Sequence, residues 1–157
     1  MQVLKDEIQE DILSSAKDLF LTFGYEKTSM DKISKKAGIS KSNLYNYFKS
    51  KDEIFCALTD SAAFHFQKVI NFFDENKFNP KFGEHGFNEM LSKYIYDLIV
   101  DYKDGLILIM KCSCGTKYEN FREQLINQIA EKFLRDYATE FIPVSYTHLR
   151  AHETLSD

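Results

Sequence analysis

The sequence predicts an all-helical chain in which three N-terminal helices are joined by a long fourth helix to a further helical region. Three observations carry this. Apolar residues recur at three- and four-residue spacing along most of the 157 residues. No alternating strand pattern or internal repeat competes with that period. The breaks between periodic stretches fall on glycines and on side chains that cap helices.

Ile8, Ile12, Leu13, Ala16, Leu19, Phe20 and Phe23 form one buried stripe, and Gly24 is a natural stop for this first helix. Thr28, with Asp31 three residues on, is expected to cap a second helix that turns Ile33 and Ala37 inward and ends at Gly38. Ser40 caps a third, Lys41 to about Tyr47, whose Leu44 and Phe48 lie four apart and face one core. Ser50 and Glu53 make a capping box before Ile54, Phe55, Leu58, Ala62, Phe66, Val69, Ile70 and Phe73, the stripe of a long fourth helix. In "DENKFNPKFGEHG", Asn79-Pro80, Gly83 and Gly86 break the period, and a domain boundary is expected within helix four or here. Further helices are expected at about 87–102, 106–114 and 118–141. The resulting organisation is a head over 1–50, a helical region over 51–142 and a tail over 143–157.

Charge is distributed unevenly. Between Lys27 and Lys51 stand seven lysines (27, 32, 35, 36, 41, 49, 51) and one acid, Asp31, a local balance of +6 that leaves −10 for the rest of a chain of formal net charge −4. A partner rich in negative charge would therefore be met by a local basic patch near the N-terminus. Cys56, Cys112 and Cys114 without a charged-then-apolar leader point to a reducing cytoplasm. The apolar run Leu106–Met110 is too short to span a membrane.

The tail "VSYTHLRAHET", 144–154, has no helical stripe and no cap. It resembles one reading frame of a transposon-derived sequencing adapter, in which TCTTATACACAT encodes Ser145 to His148. On that reading the native sequence stops near Ile142, and the pairing of His148 with His152 and Glu153 is not a metal site.

The stretch "GISKSNLYNYFKSKDEIF", from Gly38 to Phe55, sets aromatic rings between lysines. Two short helices joined by "KAGIS" have the length and central glycine of a helix-turn-helix, whose second helix enters the DNA major groove. With Leu44 and Phe48 inward, Lys41, Ser42, Asn43, Tyr45 and Asn46 are left for solvent or a partner. Such residues suit groove reading: Ser and Asn for base edges, Lys for guanine or phosphate, Tyr hydroxyls for phosphate. Tyr45 and Tyr47 each combine a ring that packs with a hydroxyl that reaches outward. Lys51 stands in the first turn of helix four, the wrong end of the dipole for a cation unless an anion such as a phosphate sits there too. Thr28, at the start of helix two, is expected to grip a phosphate in the same way.

"TSMDKISKKAGISKSNLYNYFKSKDEIF", Thr28 to Phe55, with the preceding "AKDLFLTFGYEKTSM", resembles the DNA-binding domain of TetR/AcrR-family transcriptional regulators over roughly Asp6 to Ala57. The resemblance implies a three-helix DNA-reading head linked by helix four to an all-helical domain that binds a small inducer and dimerises, most often for repression. It puts base and phosphate contacts on Thr28, Ser40, Lys41, Ser42, Tyr45, Tyr47 and Lys51, to which the exposed face adds Asn43. It implies duplex operator DNA, an inducer and a second copy as partners, and no cofactor. The family usually ends in two further long helices that form the dimer interface, which this chain lacks if its tail is adapter.

For an inducer pocket, Phe64, Phe66, Phe87, Tyr94, Tyr102 and Phe121 are the candidate lining, against the alternative that they are packing residues. Other function classes have less support. Cys112 and Cys114 lie two apart, about 200° around a helix, with no His or Cys partner nearby for a metal. His65 and His85 have no neighbouring nucleophile, so no enzyme is expected. A helical interaction module without DNA binding is the remaining alternative.

Overall fold

The structure, a computed structural model, describes residues 2–75 and 85–141, and within them the side chains of 4–71, 89, 92–131 and 134. Six helices follow one another there: α1 Gln2–Phe23, α2 Met30–Lys36, α3 Lys41–Tyr47, α4 Lys51–Glu75, α5 His85–Lys111 and α6 Phe121–Phe141. No strand occurs among the described residues, and no described helix is long and apolar enough to cross a membrane. The tail 142–157, with His148, His152 and Glu153, lies outside the described residues.

α1 ends where Gly24 adopts φ 80° and its N–H returns to the Phe20 carbonyl at 2.8 Å. Ile12, Ala16 and Phe20 are fully buried. Phe23, expected on the same stripe, is 51% exposed and has the Lys32 ammonium 5.4 Å over its ring. The N-cap of α2 is Ser29, whose Oγ accepts from the Lys32 N–H at 3.3 Å, and not Thr28 as expected. Thr28 is instead 2% exposed, and its hydroxyl donates to the Gly24 carbonyl at 2.8 Å. That hydroxyl serves the carbonyls that the end of α1 leaves without helical partners.

α3 begins at its expected cap, where the Asn43 N–H donates to Ser40 Oγ at 3.1 Å. α4 opens with the Glu53 N–H donating to Ser50 Oγ at 3.1 Å, while Glu53 Oε2 accepts from the Lys49 N–H at 2.6 Å, one residue before the partner a strict capping box would use.

The two helices expected at 87–102 and 106–114 are one continuous helix, α5. Gly105, in the gap between the two expected helices, is the point where α5 crosses α4. A Cβ there would lie 2.7 Å from Ala62 Cβ and 2.9 Å from the Leu58 carbonyl. The missing side chain lets the two backbones approach, and the α4–α5 pairing is the most extensive in the fold. α6 starts at Phe121 and not at Tyr118, because Gly115 at φ 81° and the bonds of Thr116 to Ser113 form a turn first.

Residues Met1–Glu123 form one compact unit and Gln124–Asp157 a second, whose described part is the remainder of α6. In the first unit the main core joins Ile12, Ala16 and Phe20 of α1, Ile33 of α2, Leu44 of α3, Ile54 and Phe55 of α4 and Leu108 of α5. A smaller cluster of Ala62, Ala63 and Ile109 continues it along the α4–α5 crossing.

Candidate nucleic-acid interface

The turn from α2 to α3 is tight because Gly38 takes φ 69°, a conformation other residues reach only with strain. The Ile39 N–H donates back to the Ser34 carbonyl at 3.0 Å. Leu44, fully buried, and Phe48, 3% exposed, seat α3 on the core. The opposite side of α3 is left to solvent. Lys41, Ser42 and Asn46 are exposed, Tyr45 is 47% exposed, and Asn43 and Tyr47 are half-buried. Tyr47 packs against the main core by its ring. Ser40 is exposed, but its Oγ is engaged in the cap.

The lysines of the basic stretch divide into two groups. Lys35 pairs with Asp31 at 2.9 Å, Lys36 pairs with Asp18 at 3.1 Å, and Lys32 donates to the Lys27 carbonyl at 2.7 Å. The hydrogen bond from Lys35 and its charge hold the Asp31 carboxyl below its ordinary value. The side chains of Lys27, of Lys41 at the start of α3 and of Lys49 just past its end have no ion pair or hydrogen bond among the described residues.

Two residues expected at a phosphate are placed differently. The Thr28 side chain is buried, as above, and presents no hydroxyl to the surface. Lys51 is half-buried, and its ammonium donates to the carbonyls of Tyr25 at 2.8 Å and Thr28 at 2.9 Å. It also stands 3.8 Å over the Tyr25 ring. Burial pushes the Lys51 pKa down, against the pull of Asp52 and Glu26. The conflict with the dipole of α4 is thus answered by two carbonyls of the turn between α1 and α2. Sequence periodicity carries no signal for this, since Tyr25 and Lys51 are brought together only by the tertiary fold.

Of the six aromatics named for an inducer pocket, the five whose side chains are described do not share one cleft. Phe64 is 58% exposed and lies under the Lys68 ammonium at 4.4 Å. Phe66 and Phe121 meet edge to face at 6.1 Å. The Phe87 side chain lies outside the described residues. Tyr94 and Tyr102 do share a shallow cleft of about 160 Å³ with His65, Asp97, Leu98 and Asp101. There the Tyr102 ring stacks on His65 at 4.4 Å and its hydroxyl lies 3.2 Å from His65 Nε2. His65 was missed as a lining residue because its sequence neighbours are apolar.

The three cysteines are free. Burial raises the thiol pKa of Cys56 and Cys112, and the Glu26 carboxylate raises that of Cys114, all away from thiolate character. No three His, Cys, Asp or Glu side chains stand together as a metal site among the described residues.

A short two-helix unit with a tight turn, its second helix seated by Leu44 and Phe48 and bared on the other side, defines a helix-turn-helix protein. Residues 12–58 match the family described as bacterial regulatory proteins, tetR family. The chain is 30% identical over 91 residues to the biofilm operon icaADBC HTH-type negative transcriptional regulator IcaR of Staphylococcus epidermidis, which covers 58% of this chain and 47% of that protein. It is 45% identical over 47 residues to the HTH-type transcriptional regulator RutR of Escherichia coli (strain K12), covering 30% of this chain and 22% of that protein. The chain therefore spans less than half the length of these curated relatives. Among solved structures, MexZ, a key repressor responsible for antibiotic resistance in Pseudomonas aeruginosa, superposes with a TM-score of 0.50 at 18% identity. The match covers 85% of this chain and 66% of that one, and it is a likeness of fold.

Proposed function

We propose that this protein is a DNA-binding transcriptional regulator that lays α3 in the major groove. The observation that carries this is the bared face of α3, with Lys41, Ser42, Asn43, Tyr45 and Asn46 presented together by a helix whose other side is fixed in the core. Lys41 and the flanking Lys49 supply uncommitted positive charge. Ser42 and Asn43 supply donors and acceptors for base edges, and Tyr45, Tyr47 and Ser40 supply hydroxyls for phosphates.

The finer reading is a homodimeric repressor on a palindromic operator, its two heads about 34 Å apart so that they enter successive major grooves. IcaR is named as a negative regulator, which favours that sign of control. A small-molecule inducer held by the helical region 51–142 would favour a head spacing that misfits the operator. Coupling of about 1–3 kcal/mol changes operator affinity roughly 5- to 150-fold.

Fluorescence anisotropy with a labelled duplex at several salt concentrations tests the reading. Neutralising several phosphates makes log K fall linearly with log[salt], by about 0.9 for each phosphate. Binding that ignores salt would favour a helical interaction module instead.

A further inference from the structure

Lys51 is a lysine beside a DNA-reading helix whose ammonium does not face outward. We propose that Lys51, with Tyr25, is a positioning clamp that fixes the reading head on α4, and that it is not a phosphate ligand. This rests on the DNA-binding reading above and specifies how that site is held.

The argument is one of valence. An ammonium has three N–H bonds and no acceptor. Two directions are taken by the carbonyls of Tyr25 and Thr28, at 2.8 and 2.9 Å, and a third by the face of the Tyr25 ring at 3.8 Å. A phosphate would have to displace one of these partners. Both carbonyls belong to the turn between α1 and α2, and Thr28 immediately precedes Ser29, the cap of α2. Lys51 itself is the first residue of α4. One side chain therefore ties the entry of the helix-turn-helix to the N-terminus of the long helix.

Tyr25 closes the clamp from the other side. Its hydroxyl donates to Asp52 Oδ1 at 2.6 Å, and its ring lies against Phe20 and Phe55 with centroids 5.8 and 5.3 Å away. Its backbone N–H donates to the Cys112 carbonyl just past α5, at 3.1 Å. The turn is thus held by α4 and by the end of α5 together, and the direction in which α3 points follows from that hold.

The test compares Lys51→Gln with Lys41→Gln at a temperature where circular dichroism shows both folded, using one duplex and a salt series. Lys41→Gln is expected to lower the slope of log K against log[salt] by about 0.9, as loss of one phosphate contact does. Lys51→Gln is expected to weaken binding several-fold with the wild-type slope unchanged. A slope that falls equally in both variants overturns the clamp, and so does wild-type affinity in Lys51→Gln.

Amide hydrogen exchange in the free protein separates this from failure of the DNA reading. Lys51→Gln should speed exchange of the Thr28 and Ile33 amides, which bond to the Tyr25 and Ser29 carbonyls. If no duplex is bound by the wild type, that exchange still decides the clamp, and unchanged protection of both amides overturns it. Should Lys51→Gln fail to fold, the ammonium resonance of Lys51 in the wild type replaces it: unmoved by duplex supports the clamp, and shifted as Lys41 is shifted overturns it.

Discussion

Tyr45 and Tyr118 show how environment divides the tasks of one residue type. Tyr45 is bared on α3 and bears on no core residue, so Tyr45→Ala should leave the unfolding midpoint unchanged while weakening duplex binding by about 1–3 kcal/mol. Thermal melting and anisotropy on the same preparation check both halves. Tyr118 is half-buried, and its hydroxyl donates to Asp60 Oδ1 at 2.7 Å beside Lys117 at 3.0 Å. Burial first, and then that hydrogen bond, push its phenol up to about 12. A pKa raised by folding contributes stability that is fully present below the unfolded value, about 10, and is lost as pH climbs through the folded one. Tyr118→Phe should therefore flatten the loss of stability between about pH 10 and about 12, read from denaturant midpoints along a pH series. An unchanged profile would contradict the assignment. At this scale the sequence spoke clearly where a role follows from helix phase, as for Leu44, Phe48 and Tyr45. It was silent where a role depends on a distant carbonyl, as for Lys51 and Thr28, because lysine and threonine are expected at surfaces and only the fold supplies their internal acceptors.

Among the elements, α3 was readable to the residue because its cap and its two core anchors fall within one short stretch. α5 was not, because glycine has two uses. It breaks helices by its conformational freedom, and it permits close crossings by its lack of a side chain. Only the proximity of Ala62 shows which applies at Gly105. Gly105→Ala should accordingly destabilise the first unit by about 1–3 kcal/mol, the usual cost of overpacking, and Ala62→Gly in the same chain should recover part of that loss. Chemical denaturation of the single and double variants measures it, and a Gly105→Ala protein as stable as wild type would mean that α4 and α5 cross less closely. The segment after α5 offers a second test. Gly115 holds φ 81° with Glu26 Cγ 3.3 Å from where a Cβ would be, beside the turn that carries Tyr25. Gly115→Ala should loosen the Tyr25 amide in hydrogen exchange, and undiminished protection there would argue against the link from α5 to the head.

For the molecule as a whole, a chain of net charge −4 concentrates a basic excess between Lys27 and Lys51, in its N-terminal part. The structure refines that excess by committing Lys32, Lys35, Lys36 and Lys51 to internal partners and leaving Lys41 and Lys49 beside α3. The match to the tetR family model falls on residues 12–58, the part in which caps, turn and basic residues are all local in sequence. The helical region beyond gave less, since its aromatics at helical spacing describe packing as readily as a pocket, and of the candidates whose side chains are described, Tyr94 and Tyr102 meet at one cleft. The central claim is that α3 reads DNA, and selection from a random duplex pool with this chain, followed by sequencing of what is retained, tests it most directly. The account predicts enrichment of a short sequence motif, as a half-site or as a palindrome with half-sites about one turn apart, that is lost in Tyr45→Ala. A retained pool as random as the input would contradict it.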